Sequence, residues 1–438
     1  GYWVEGKTLE WSRLPSRVEA VIAERIARLD PSSREMLEIA SVEGETFTAE
    51  VVADVCSTGE QEVVRRLGSE LDRRHRLVRA QEMQHLGARR FSRYRFQHIL
   101  YQTYLYGNLD AVRRMYLHEA VGTALEALYG KDGGEMAVPL ARHFREAGMA
   151  GKAIEYLLAA GEKARQSSAN SEAIAYLTQA LELIKTLPDT PERARQELEC
   201  RLLLGFSLVL TLGHAAVEVK DNYVRARELS AQAGDAHQRF QVLMGLRRYH
   251  HVRGELQAAY EVSEQILAQC LDLDELYLAR AHLLQGEILY RMGSLQKAQE
   301  HYEQSVLASG TGQSQPDAPL FGNDTLVISQ VFQGANLWQL GYPDQALRIS
   351  LAGVRRARQL AHPFTLVCAL NHCAELCHLR REPEAAQEML EELMSICSDR
   401  GFALYAAWGT LLTGHGLVAQ KRVEAGIVQI QRGLADWK

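Results

Sequence analysis

The first eight residues, Gly1-Tyr-Trp-Val-Glu-Gly6-Lys7-Thr8, match the phosphate-loop spacing GxxxxGK[ST]. In a working loop of this kind backbone N–H groups cradle phosphate, the lysine reaches the terminal phosphates and the hydroxyl holds magnesium. That chemistry needs a buried strand before the loop and a helix opening at Lys7. Here Tyr2, Trp3 and Val4 themselves read as strand, and no apolar strand ending in a carboxylate follows. The stretch Gly414-His415-Gly416-Leu417-Val418-Ala419 matches GxGxxA. A dinucleotide fingerprint acts at a strand–turn–helix junction, whereas this stretch lies inside a helical pattern. Cys368, His372, Cys373, Cys377 and His378 have the chemistry of zinc ligands. Structural zinc favours CxxC knuckles, and Cys373 and Cys377 fall instead on an internal packing face, where thiols act as small hydrophobes. His118-Glu119 lacks the second histidine of HExxH, and GxSxG is absent. No catalytic constellation emerges, and neither a metal site nor enzymatic activity is expected.

A different chemistry, phosphate contact by arginine, is concentrated in residues 60–95. This stretch holds ten arginines against five Asp and Glu: Arg65, Arg66, Arg73, Arg74, Arg76, Arg79, Arg89, Arg90, Arg93 and Arg95. A basic helix followed by a basic hairpin suits DNA backbone contacts. A solvated face, or one that meets another domain, is the competing and stronger reading.

The elements that position these residues follow from composition and pattern. The chain has 438 residues, 49 Lys+Arg, 55 Asp+Glu and a formal charge of −6, with 47% hydrophobic residues. That is core-forming and excludes disordered, collagen-like and small disulfide-stapled classes. Ten prolines in this length argue for a helical protein. Seven cysteines, odd in number and irregularly spaced, suit a reducing cytosol. The longest uncharged stretch, residues 202–217, is shorter than the roughly 20 residues that span a bilayer. The chain opens on Gly and closes inside a helix-like pattern, so it reads as a piece of a longer protein.

Residues 1–106 mix short helices with strand-like pieces. Ser16 opens a helix running to about Leu29, with Val18, Val21, Ile22 and Ile26 on or beside one face. A second helix runs from Pro31 or Ser32 to Gly44, a third over residues 48–56, and a fourth over residues 60–75 buries Val63, Val64, Leu67 and Leu71. Residues 76–81 and 89–96 alternate around a turn at Gly87, which predicts a hairpin. Helices followed by a two-stranded wing describe a winged helix.

From residue 107 onward the pattern is helix after helix, and it repeats. A turn signal precedes a small residue by five positions: Gly254 and Ala259, Gly293 and Ala298, Gly341 and Ala346, Arg381 and Ala386, Lys421 and Gly426. Seven residues before the turn a second small residue recurs, at Gly286, Gly334, Ala374 and Gly414, with Arg247 as the exception. Two helix backbones approach closely only where side chains are tiny, so these positions predict nested helical hairpins. The period, about forty residues, is a stretched tetratricopeptide repeat, and earlier pairs sit around Ala153 and Ala173. The expected architecture is mainly α: a winged helix over residues 1–106, a helical connector with the first pairs over 107–190, and a right-handed α–α superhelix over 191–438. About seven pairs are expected, with a disordered loop at residues 309–324.

Such arrays have a concave face lined by the first helix of each pair. Counting back from the turns places Arg248, His251, Arg280, Glu287, Tyr290 and Trp338 there, followed by Asn371, Glu375, His378, Trp408 and His415. Aromatic rings with fixed polar groups suit a peptide or sugar-like ligand.

Several stretches carry a resemblance. Leu340-Gly-Tyr-Pro-Asp-Gln-Ala-Leu347, His362-Pro-Phe-Thr-Leu366, Gly426-Ile-Val-Gln-Ile430, Leu14-Pro-Ser-Arg-Val-Glu-Ala-Val-Ile22 and Ala40-Ser-Val-Glu-Gly-Glu-Thr-Phe47 are similar to the C-terminal region of STAND-class signal-transduction ATPases with tetratricopeptide repeats. Members often carry an adenylate/guanylate cyclase or transcription-activator domain. The resemblance implies a nucleotide-binding module upstream of Gly1, with ADP or ATP and magnesium bound there and no cofactor in this piece. It also implies that the winged helix packs on that module and helps hold a resting, ADP-bound state. Phe96-Gln97-His98 and the following Tyr-rich helix resemble the histidine motif that closes this winged helix, which makes His98 the candidate nucleotide contact. Gln97 and Ile99 differ from that motif's flanking residues. The function implied is a cytoplasmic regulatory arm. A protein or small-molecule signal would sit in the groove, the upstream domain of the same chain would be its partner, and self-association on activation stays open. The alternatives are a winged-helix DNA-binding regulator with a repeat effector domain, and the regulatory part of a nucleotide cyclase.

Overall fold

The computed structural model describes residues 16–81, 83–86, 89–130, 136–270, 274–310 and 321–437. The phosphate-loop-like residues 1–8 and most of the 309–324 loop lie outside this set. The chain divides into two compact units, Gly1–Thr211 and Leu212–Lys438.

The first unit opens with α1 (Ser16–Ala27) and α2 (Pro31–Glu43). Asp30 caps α2 by accepting from Ser33 N at 3.0 Å, and Pro31 sits in the first turn, where no N–H is needed. Ile22, Ile26 and Leu29 are buried as the periodicity requires, but Val18 and Val21 stand on the surface. Next come β1 (Thr46–Thr48), α3 (Ala49–Val55) and α4 (Glu60–Arg66). The fourth helix continues over Leu67–Arg74 in a π-helical winding instead of remaining α throughout. Leu67 and Leu71 are buried there, while Arg73 and Arg74 face water.

The strands β2 (Val78–Ala80), β3 (Gln84–Leu86), β4 (Arg89–Phe91) and β5 (Arg93–Phe96) follow. β5 lies between β1 and β2, antiparallel to both, and β3 pairs with β4. The expected hairpin is therefore interrupted at Ser92, whose N–H donates to both Glu50 oxygens at 2.9 and 3.0 Å. β1 was not legible as a strand. Its Phe47 packs on Tyr94 and Phe96 of β5, so its pairing is set by a partner almost fifty residues away.

Helices α5 (Ile99–Gly107), α6 (Ala111–Tyr129), α7 (Ala137–Glu146), α8 (Ala150–Gln166), α9 (Asn170–Ile184) and α10 (Pro191–Leu212) complete the series. Between α6 and α7, His118 and His143 meet with Nδ1 to Nδ1 at 2.9 Å, and the Tyr106 hydroxyl lies 2.9 Å from His118 Nε2. Burial, then the Arg142 charge, depresses both imidazoles, to about 4 for His118 and about 3 for His143.

The second unit holds α11 (Val217–Ala233) and then paired helices: α12 (Ala236–Val252) with α13 (Leu256–Cys270), and α14 (Glu275–Arg291) with α15 (Leu295–Ala308). Three further pairs are α16 (Thr325–Gln339) with α17 (Pro343–Leu360), α18 (Pro363–Leu379) with α19 (Pro383–Arg400), and α20 (Ala403–Ala419) with α21 (Val423–Asp436). One local device closes these hairpins and two in the first unit. Gly148, Ser168, Gly254, Gly293, Gly341, Arg381 and Lys421 all take the left-handed conformation, with φ between 61 and 89°. After each, the next N–H reaches back five residues along the chain to a helix carbonyl at 2.8–2.9 Å, as in Glu255 N to His250 O and Arg422 N to Leu417 O. Gly148 and Ser168 are turn residues that the sequence pattern had not singled out.

Five residues beyond each turn the small side chain is enclosed: Ala153, Ala173, Ala259, Ala298, Ala346 and Ala386 have no exposed surface, and Gly426 is buried. Two of their glycine partners leave no room for a methyl group. A Cβ on Gly334 would stand 2.9 Å from the Ala346 carbonyl oxygen, and one on Gly414 would stand 2.8 Å from the Gly426 oxygen. At the exception, Arg247 is 1% exposed, and the small-residue contact gives way to an ion pair.

Gly334→Ala should destabilise the second unit by about 1–3 kcal/mol, through overpacking against backbone. Lys421→Gly should stabilise it by about 0.5–1 kcal/mol by relieving a left-handed lysine. Urea titration followed by circular dichroism measures both, and opposite signs would contradict the packing described. For the histidine pair, the folded values lie below 6.5, so the unfolded chain binds more protons as pH falls. Stability is held above about pH 6.5 and drops toward pH 4. Thermal melting should therefore fall less steeply over that window in His118→Gln than in the native chain.

Candidate functional site on the inner helix face

The first helices of successive pairs pack on one another, α14 on α16, α16 on α18 and α18 on α20, while each second helix packs on the next first helix. The first helices thus share one face within the second unit. A line of rings runs along it. Phe332 lies 4.8 Å from His372, His372 lies 5.3 Å from Trp408, and Trp408 stacks on Tyr405 at 6.2 Å. Phe364 meets Tyr405 edge-on at 5.6 Å.

Charged groups border these rings. Arg247 donates to Glu287 Oε2 at 2.5 Å and to the Leu284 carbonyl at 3.1 Å. His251 Nδ1 stands 3.6 Å from the other Glu287 oxygen. Burial raises the Glu287 carboxyl, but the charges of Arg247, His251 and Arg248 outweigh it and hold the group well below the usual carboxylate range. Arg248 is exposed, and its charge helps hold the Glu287 carboxyl low. Tyr290 is half-buried, its hydroxyl accepts from Gln339 Nε2 at 2.6 Å, and burial raises its pKa. Glu375, 3.8 Å from His372, is lowered chiefly by that histidine, with Arg291 contributing.

The other expected groove residues occupy different environments. Arg280 is 6% exposed, donates to Asn323 Oδ1 at 2.8 Å and lies over the Phe321 ring. Trp338 is half-buried against the cluster of Leu337, Ala346 and Leu376. Asn371 is wholly enclosed, His378 is buried with its ring 5.0 Å from His415, and His415 itself is exposed. The structure therefore sets Glu375 and Trp408 beside the line of rings, groups His251 with Arg247 and the buried Glu287, leaves Arg248 exposed, and turns Asn371 and His378 into the packing between helices.

Phe332, His372 and Tyr405 are part of the surface and were missed. Phe332 and His372 each lie nine residues before their turn residues, Gly341 and Arg381, a register that could have revealed them.

The tempting motifs resolve by location. Gly414 to Ala419 lies within α20, with no strand or turn. Cys368 Sγ bonds the Tyr405 hydroxyl at 3.0 Å, Cys373 packs with Leu370 and Val354, and Cys377 packs with Ala374 and Ala386. Among the described residues no group of three or more His, Cys, Asp or Glu could hold a metal ion. In the first unit His98 caps α5, accepting from Leu100 N at 3.2 Å, beside a shallow apolar hollow that includes Val18, Val21 and Tyr101. Of the arginine-rich stretch, Arg65 and Arg66 pair with Glu62, and Arg95 pairs with Glu45. No helix among the described residues is long and apolar enough to cross a membrane.

No protein-family model and no curated protein matches the chain. Solved structures do. The apo quorum sensor NprR of B. thuringiensis aligns over 75% of this chain and 89% of its own, at 14% identity and a TM-score of 0.52. Apo RapI aligns over 65% of this chain and 97% of its own, at 11% identity and a TM-score of 0.51. A STAND protein with a tetratricopeptide-repeat sensor from Pyrococcus horikoshii spans 99% of this chain at 12% identity and a TM-score of 0.45, and the match takes in 66% of that protein. The structural neighbours are tetratricopeptide-like helical-repeat proteins. At these identities the likeness is one of fold.

Glu287→Leu should strand the buried Arg247 charge and cost about 3–5 kcal/mol, whereas Arg247→Leu combined with Glu287→Leu should recover most of the loss. Urea titration of the three chains checks this, and a double variant no more stable than the single one would refute the pairing.

Proposed function

We propose that this chain is the non-catalytic regulatory arm of a STAND-type signalling ATPase, and that the inner face of its repeats binds a peptide or protein signal. The observation that carries the reading is the line of Phe332, His372, Trp408 and Tyr405, with Glu375 beside it, on successive first helices. Phe332, His372, Tyr405 and Trp408 are only partly buried, so part of each ring is open to a ligand. Both signs of charge beside aromatic rings match the backbone, side chains and termini of a peptide. NprR, which shares the fold, is a quorum sensor.

The assignment to the STAND class rests on the sequence resemblance. The order of α2, β1, α3, α4 and the strands after it supports reading residues 1–106 as a winged helix, with residues 107–190 as connector and first pairs and residues 191–438 as the sensing superhelix. In this reading the winged helix couples the sensor to an upstream nucleotide-binding module holding ADP or ATP, and His98 is the candidate contact to it. The setting is the cytoplasm. A signal is transmitted only if it favours one arrangement of arm and module over the other. Pairing of Arg65, Arg66 and Arg95 with carboxylates lowers the charge available to DNA and weakens the DNA-binding alternative.

The test is a titration of the chain with an array of peptides carrying acidic and aromatic residues, read by tryptophan fluorescence. Trp408→Ala and Arg248→Ala should each weaken the best binder at least about tenfold. Trp338→Ala should weaken it less, because that ring is committed to packing. Binding that survives the first two changes would place the signal site elsewhere.

A further inference from the structure

The second helices α13, α15, α17 and α19 each pack on their own first helix and on the next one. Helix α21 has no next first helix among the described residues, and its side chains depart from those of the other four in two ways. One is exposure. Thirteen and sixteen residues after the turn, α17 carries Val354 and Ala357 and α19 carries Met394 and Cys397, none of them exposed. The next first helix covers this strip. Gly409 of α20 comes so near that a Cβ on it would stand 3.0 Å from Met394 Sδ. Six residues after its turn, Gln299 of α15 accepts from Asn336 of α16 at 3.1 Å. The same three positions on α21 hold Ile427, Leu434 and Trp437, which are 46, 55 and 44% exposed. The interface between successive pairs thus continues onto α21 as an open apolar strip.

The other departure is charge. Seven residues after the turn the earlier second helices carry Glu261, Glu300, Arg348 and Glu388, all exposed. Ten residues after it, three of the four carry an exposed glutamate: Glu264, Glu303 and Glu391. On α21 these two positions become Val428, 61% exposed, and Gln431. A further first helix stacked on the strip gives no reason for the change, because in the four earlier pairs such a helix leaves the seventh position in water. A two-fold axis does give one. Residues close to the axis face their own copies, so a charge there would meet a like charge. Of the charges α21 keeps, Arg432 and Asp436 lie 3.8 Å apart as an ion pair. In an antiparallel pair the two copies of Glu424 would stand about 20 Å apart along the helices.

We propose that α21 is a dimer interface, on which the α21 of a second copy packs antiparallel about a two-fold axis near Gln431. Ile427 of each copy meets Leu434 of the other, and Val428 widens the contact. The helix has 14 residues. It is therefore about 21 Å long, and two such helices make an interface at the small end of the stable range, with a dissociation constant on the order of micromolar. The pairing is separate from the inner face and requires neither a signal nor a nucleotide.

Analytical ultracentrifugation of the whole chain, from about 1 to 100 µM, reads the association directly. A monomer–dimer equilibrium is expected. Val428→Glu and Gln431→Glu restore the charges of the other second helices at exposed positions, so the circular dichroism spectrum should not change. Each should raise the dissociation constant at least about tenfold. An equimolar mixture of Gln431→Glu with Gln431→Lys should recover the dimer, because opposite charges then meet across the axis. Leu307→Glu, an exposed apolar site on α15, should leave the association unchanged. A chain that stays monomeric throughout the range, assembles beyond a dimer, or dimerises regardless of Val428→Glu and Gln431→Glu would overturn the proposal. So would a mixture that fails to recover, or a dimer lost equally in Leu307→Glu.

Discussion

A helical hairpin closes when the chain reverses within a residue or two and the two helix backbones then lie close enough to touch. In this protein a single left-handed residue meets the first condition and a buried small residue five positions later meets the second. The left-handed residue lets the following N–H return to a carbonyl of the helix just ended, so the turn satisfies its own backbone. The small residue lets that helix and the next pass at backbone distance. Glycine fits the left-handed position at least cost, yet Ser168, Arg381 and Lys421 occupy it as well. The tertiary fit of the hairpins therefore outweighs a local preference of about 1–2 kcal/mol at those residues.

The inner face follows from this constraint. Once each pair nests through its small residues, the remaining contacts run from first helix to first helix and from second helix to next first helix. One face of the first helices then carries side chains that are only partly buried. Phe332, His372, Tyr405 and Trp408 gather on it, with Arg248 and Glu287 at their side. Where Arg247 replaces the expected small residue, the repeat does not tighten. A buried ion pair with Glu287 joins α12 to α14, and the same carboxylate holds His251 nearby. A buried ion pair adds little net stability over an apolar contact, but it fixes which groups face each other. Here that constraint sets the charged edge of the candidate site.

Helix α20 shows how closely packing and recognition are interleaved. One side carries Tyr405 and Trp408 to the inner face, and the opposite side carries Thr413 and Leu417 to a hollow it shares with α19 and α21. Its glycines separate the two roles. Gly414 admits the backbone of α21, and Gly416 admits the imidazole of His378. A pattern that resembles a nucleotide fingerprint in one dimension is a pair of contact points in three.

The repeat was legible because its physics is local. Turn residues at fixed distance from small residues identify hairpins, and Ala259, Ala298, Ala346 and Ala386 lie where that spacing requires. Short helices such as Pro31–Glu43 were legible through their caps. What escaped depended on partners far along the chain. Thr46–Thr48 becomes a strand through pairing with Arg93–Phe96, and Val18 and Val21 face outward although their spacing continues a buried stripe. Asn371 and His378 follow the same count as Glu375, but the packing of α20 against α18 encloses them. The sequence by itself determined the hairpins, because a turn and the contact five residues on are set by neighbours in the chain. Only the tertiary structure decided which faces of those helices stay open, because that depends on how one hairpin rotates against the next.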